Sequence, residues 1–212
     1  KNNHFSEVIP VTIFYQFFRD IVFEGNTLDD LVYDNAGSLS TWQKTTGLTI
    51  ADNTFNGVNV GSFTDCKDVV IRNNYIQSDE GGMVLSANYE EGHSTYRIYN
   101  NFFIVQDCGL NILLSGLEVD LFNNNFSMVN SYSGYALILN NFASTEITNT
   151  VRVLNNNFYG EGSGTYGVIT YANPDSLKMT NLEFDYNNYF VPDEPNAWRI
   201  LDQQYYDLDL AA

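Results

Sequence analysis

The chain has 212 residues, with nine basic side chains against 26 acidic ones and a formal charge of −17. That field repels nucleic acid and anionic lipid surfaces, so neither is an expected partner. An apolar share of 44%, with 15 Phe, 15 Tyr and only four Pro, supplies a packed interior and points to an all-β chain.

The chain opens on Asn2-Asn3-His4-Phe5, which reads as the tail of a phrase that recurs to the end. The most apolar run, Val8 to Phe18, is too short and too interrupted to span a bilayer, so membrane insertion is not expected. Loose copies of the phrase follow at Phe23 to Leu28 and Ile50 to Phe55. Closer ones stand at Ile71 to Ile76, Ile98 to Phe103, Leu121 to Phe126 and Arg152 to Phe158, and Phe184 to Tyr189 closes the series.

Each copy has a central asparagine: Asn3, Asn26, Asn53, Asn74, Asn101, Asn124, Asn156 and Asn187, spaced by 23, 27, 21, 27, 23, 32 and 31 residues. Apolar residues stand five before, three before and two after this anchor, as with Val119, Leu121 and Phe126 around Asn124. Such alternation predicts a strand with one buried face. A fixed asparagine beyond each strand, once per coil, predicts a solenoid whose anchors form a buried ladder. Their side chains are expected to tolerate a left-handed turn and to bond to the neighbouring backbone. Four before the anchor, Arg97, Asp120, Arg152 and Glu183 alternate in sign, which predicts a surface ion-pair ladder.

A second apolar stretch, usually led by glycine, follows each anchor: Gly57 to Val60, Gly82 to Leu85, Gly109 to Leu114, Gly134 to Leu139 and Gly167 to Tyr171. Two or three short strands per coil fit the period. A leucine-rich solenoid shares the apolar-x-apolar-x-x-Asn-x-apolar order, but its period is steadier and a helical segment follows its asparagine. Cys66 and Cys108 fall in different coils with no metal-ligand spacing and are expected as buried thiols. The array begins in mid-phrase and stops after Tyr205 without a cap. A single domain over 1–212 that is a fragment of a longer protein is therefore expected, its open ends covered by neighbouring domains or a partner chain.

Apolar-x-Asn-Asn-x-Phe followed by Gly-apolar-x-apolar resembles the right-handed parallel β-helix proteins of the pectate-lyase-like superfamily. The resemblance runs from Asn2 to about Phe190 and implies a right-handed parallel β-helix of about seven to eight coils. It also implies an extracellular or cell-surface protein that binds a polysaccharide or other glycan and cleaves it by lyase or hydrolase chemistry. Lyases of this kind use a basic residue and often calcium, so Ca2+ is the one cofactor implied, with Lys67 and Arg72 as the candidate bases. Hydrolases of this kind need paired carboxylates. The polygalacturonase pattern finds only Gly92-His93-Ser94, Arg97-Ile98-Tyr99 and Asn173-Pro174-Asp175, in the wrong order.

The remaining candidates come from the residues themselves. Glu90, Glu91 and His93 form a loop in an enlarged coil of 27 residues, near Asp79 and Glu80, and with Asp107 they are the candidate acid–base group. Asp65 is a weaker candidate of the same kind. Tyr132, Tyr135, Tyr159 and Tyr166, with Tyr171, lie in or beside the longest turns and are candidates for stacking on sugar rings. Asp29-Asp30 and Asp193-Glu194 are oxygen-rich pairs able to collect calcium, without EF-hand spacing. Against the enzyme stands a second expectation, a non-catalytic structural or adhesive rod whose coils set length and display. Fold alone does not choose between them.

Overall fold

The computed structural model describes residues 1–6, 13–29, 40–79, 81–87, 93–113, 116–129, 134–141, 149–161, 166–172, 180–190 and 198–200. The chain is a parallel β-helix. Three strands per coil feed three all-parallel sheets of eight, eight and seven strands, and each strand pairs with its counterparts one coil before and one coil after. Sheet A carries the strand after each anchor, sheet B the glycine-led strand, and sheet C the strand before the next anchor. Stacked strands lie about 4.8 Å apart, so equivalent residues form columns along the axis.

The alternation read from the sequence sorts these columns. On sheet C, Tyr96 and Ile98 point inward beside Val69 and Ile71 before them and Val119 and Leu121 after. On sheet A, Phe103, Phe126, Phe158 and Tyr189 stack with ring centroids 4.6, 5.2 and 5.0 Å apart. Trp42, Phe63, Leu85, Ile112 and Leu139 fill the interior from sheet B. Each fully buried side chain of this kind contributes roughly 1.5–3 kcal/mol.

The doubled asparagine divides two tasks. The residue before the anchor turns the chain: Asn2, Gly25, Asp52, Asn73, Asn100, Asn123, Asn155 and Tyr186 all hold φ between 54° and 67°. The left-handed geometry expected of the anchor thus belongs to its predecessor, because the chain must leave sheet C sharply before the anchor amide can face inward. The anchors then form an unbroken ladder from Asn3 to Asn187. In every rung the backbone N–H and Nδ2 of one anchor donate to Oδ1 of the next, at 2.8–3.1 Å. Nδ2 also donates to the preceding coil, as from Asn101 to the Ile71 carbonyl at 3.0 Å. Asn26, Asn53, Asn74, Asn101, Asn124 and Asn156 are buried and Asn187 is half-buried.

Glycine leads the sheet B strands for a steric reason. A Cβ on Gly82 would stand 2.2 Å from the Gly109 carbonyl oxygen. One on Gly109 would stand 2.6 Å from that of Ala136 and 2.8 Å from the Phe126 ring. The small residue lets the backbone close over the aromatic column at the turn from sheet A to sheet B.

The ion-pair column is shorter than its sequence pattern. Arg152 Nε lies 2.6 Å from Asp120 Oδ1, and Glu118 and Glu183 flank it. Arg97 stands in register with Asp120 but makes no ion pair among the described residues. Asp120 has already turned toward Arg152, one coil further on. Cys66 and Cys108 are free thiols, the first buried and the second half-buried. Burial raises the Cys66 thiol to about 11 and pushes Cys108 upward as well.

Candidate functional site

Three turns join the three sheets, and the position of a residue in a coil fixes which corner of the rod it occupies. The loop holding His93 lies between sheets B and C, and Asp107 lies between sheets A and B. The strand Gly81–Ser86 before His93 pairs with Cys108–Leu113 after Asp107, through Gly81 with Cys108 and Leu85 with Ile112. A six-residue strand therefore separates the two, roughly 20 Å at about 3.3 Å per residue. The structure does not bring His93 and Asp107 together, because a whole face of the rod lies between their turns. Both are exposed; Glu90 and Glu91 lie outside the described residues.

The other acid and base candidates are also dispersed. Asp79 is exposed and accepts from Gln106 Nε2 at 3.0 Å, while Glu80 lies outside the described residues. Asp65 is buried in a left-handed turn with φ 55°. Lys67 and Arg72 sit before and at the end of the strand Val69–Arg72, hence at different corners, and Arg72 pairs with Asp52 at 3.2 Å. Asp29 is bonded by His4 Nε2 at 2.9 Å and by Asn56 Nδ2 at 2.5 Å. Asp30, Asp175, Asp193 and Glu194 lie outside the described residues. No three His, Cys, Asp or Glu side chains converge as a metal site among the described residues.

The tyrosines split between two faces. Tyr135 is in register with Cys108 on one side and Tyr166 on the other, at the edge of sheet B that begins each strand. Its N–H donates to the Asp107 carbonyl at 2.7 Å. Asp107, Tyr135 and Tyr166 thus share one corner of the rod. The side chains of Tyr166 and Tyr171 are not described, and Tyr132 lies outside the described residues. Tyr159 is on the outer face of sheet A, its ring 5.4 Å from that of Phe190 and its hydroxyl donating to Glu161. That hydrogen bond holds the Tyr159 phenol above its ordinary range.

Beside Asp107 the outer face of sheet B sinks into a groove of about 380 Å³. Its lining crosses three coils: Asn59 and Ser62 from one, Gly81, Gly82 and Val84 from the next, Asp107, Cys108 and Asn111 from the third. The outer face of the middle coil is bare at one position, Gly81. Gly81 faces Cys108 across the ladder, while Gly61, with φ 121°, stands in the inward column beside Met83. Asn59 Oδ1 and Asn111 Oδ1 are buried and meet no hydrogen-bond donor among the described residues. A buried acceptor left so costs about 1–3 kcal/mol.

Asn59 and Asn111 are functional candidates that the motif search passes over. Their signal is local: each is a polar residue between two inward apolar ones, Val58 and Val60, Leu110 and Ile112, and so faces outward. A second concavity, about 320 Å³, lies on sheet C between Asp68, Thr95, Arg97, Glu118 and Asp120. Asp120 and Glu118 there already face Arg152. No protein-family model matches this sequence, and no curated protein matches it either.

Proposed function

We propose that this protein is a carbohydrate-binding β-helix of the pectate-lyase-like kind, extracellular or at a cell surface, holding a glycan against the outer face of sheet B. The observation that carries the reading is the groove beside Asp107, lined by the amide side chains of Asn59 and Asn111, with Tyr135 on the adjoining rung. Flat sugar rings bind to surfaces that combine amide hydrogen bonding with an aromatic face. The groove crosses three stacked strands about 4.8 Å apart and so runs along the axis, a shape that suits a polymer better than a lone small molecule.

Binding is better supported than cleavage. Two-carboxylate hydrolysis needs acid and base roughly 5–10 Å apart across the scissile bond. Asp107 is the one carboxylate among the described groove residues. The second reading, a structural rod, is favoured by the columns on the other two faces. Asn125, Asn157 and Asn188 bond in series at 2.7 and 2.8 Å outside sheet A, and Tyr99 stacks on Phe122 at 4.8 Å outside sheet C. Those faces are spent on coil-to-coil contacts.

Retention of the protein on a panel of insoluble and soluble polysaccharides tests the choice, with and without calcium, while reducing ends and unsaturated products are followed. Retention without new ends is the expected result. New ends or unsaturated products would add hydrolase or lyase chemistry, and no retention on any polymer would leave the rod.

A further inference from the structure

We infer that the sheet B groove takes an uncharged glycan and excludes uronate-bearing ones. The inference rests on the binding reading above and narrows it to a substrate class. Three observations carry it.

The first is where the cations lie. Among the described residues, Arg19, Lys44 and Lys67 occupy the turn from sheet B to sheet C, at the edge of sheet B away from the groove. Arg72, Arg97 and Arg152 are on the outer face of sheet C, and Lys1 pairs with Glu24. The described groove residues include no basic side chain, and their one charge is the Asp107 carboxylate. Arg199, whose side chain is not described, belongs to the third strand beyond Cys108–Leu113 in sheet B.

The second is hydrogen-bond polarity. Asn59 and Asn111 each bring an amide with one acceptor and one donor group, and the Asp107 carboxylate adds only acceptors. Sugar hydroxyls both donate and accept, so they match the amides and Asp107 alike. A uronate carboxylate at neutral pH has no proton to give Asp107 and is repelled by its charge. The third is the field of the whole chain, −17, which opposes the approach of any polyanion and meets no basic side chain among the described groove residues to offset it.

For a calcium bridge to a uronate at this place, Asp107 would be the one carboxylate among the described groove residues.

The test is equilibrium binding to neutral oligosaccharides (from β-glucan, galactomannan and xylan) and to oligogalacturonate and oligoalginate, with and without calcium. The wild type is compared with Asn111→Leu and Asp107→Asn, each checked by thermal melting. At least one neutral series should bind, and the uronates at least tenfold more weakly. Neutral binding should be insensitive to salt, since no ion pair is formed. Asn111→Leu should keep or raise the melting temperature and weaken neutral binding about tenfold. Asp107→Asn should narrow the gap between the two classes. Uronates binding as well as or better than neutral chains would overturn the inference while leaving glycan binding intact. A folded Asn111→Leu with unchanged affinity would remove the groove from the account. No binding of either class would sink the glycan-binding reading itself.

Discussion

Asn101→Ala, in the middle of the buried ladder, probes what holds the coils in register. Asn101 Oδ1 accepts from the backbone N–H and the Nδ2 of Asn74, at 3.0 and 2.9 Å, and all of these atoms are sealed from water. Removing that oxygen orphans two buried donors at about 1–3 kcal/mol each, so roughly 2–6 kcal/mol in total, with about 4 as the expected value. The Asn101 Nδ2 also donates to the Ile71 and Tyr99 carbonyls at 3.0 and 3.1 Å; those oxygens lose a donor as well. A control is Asn125→Ala, on the outer face of sheet A, where the side chain only accepts from the exposed Asn157 amide at 2.7 Å. That change should cost under about 0.5 kcal/mol, as surface substitutions do. Urea unfolding followed by circular dichroism measures both. If Asn101→Ala and Asn125→Ala fall within about 0.5 kcal/mol of each other, the reasoning from buried amides is wrong.

Further outcomes follow from single positions. Tyr186 holds φ 56° where all seven counterparts are Asn, Asp or Gly, and it is 78% exposed, so Tyr186→Asn should stabilise by about 1 kcal/mol in the same titration. Gly82→Ala places a methyl 2.2 Å from the Gly109 carbonyl and should destabilise by about 1–3 kcal/mol, seen as a lowered melting temperature. The Cys66 thiol is raised by burial from 9.0 to about 11. The unfolded chain therefore loses this proton at lower pH than the folded one, and stability falls as pH climbs from about 9 to about 11. The loss is on the order of 2–3 kcal/mol, and Cys66→Ala should flatten that part of the stability–pH curve. Below the unfolded pKa the contribution is fully present, and because Cys66 is buried, neutral-pH thiol reagents should label it only after unfolding.

The fold was legible because a column is a period. Val119, Leu121, Asn124 and Phe126 announce a strand, a turn and a strand, and seven more copies fix their stacking. The division of labour within each Asn-Asn pair was not legible, since both residues suit both tasks until the backbone shows which one turns. The Arg97 to Glu183 column was readable as a surface row, but not which partner Asp120 would choose. The site was legible only in fragments. His93 and Asp107 are close in sequence and in adjacent coils, yet a solenoid sends chain neighbours to different corners and brings residues a full coil apart into contact. Asn59 and Asn111 line one groove from two coils apart, across a coil whose outer face is bare at Gly81. A pattern search weighs the residues present; it has no weight for a rung left bare.

Hydrogen exchange with a neutral oligosaccharide bound is the most direct test of the claim that sheet B is the working face. Binding should slow exchange in Gly81–Leu85 and Cys108–Ile112, while the strands of sheets A and C keep their free rates. Protection centred on Tyr159 and Phe190 of sheet A, or no protection by any sugar that binds, would contradict the account and move the site off sheet B.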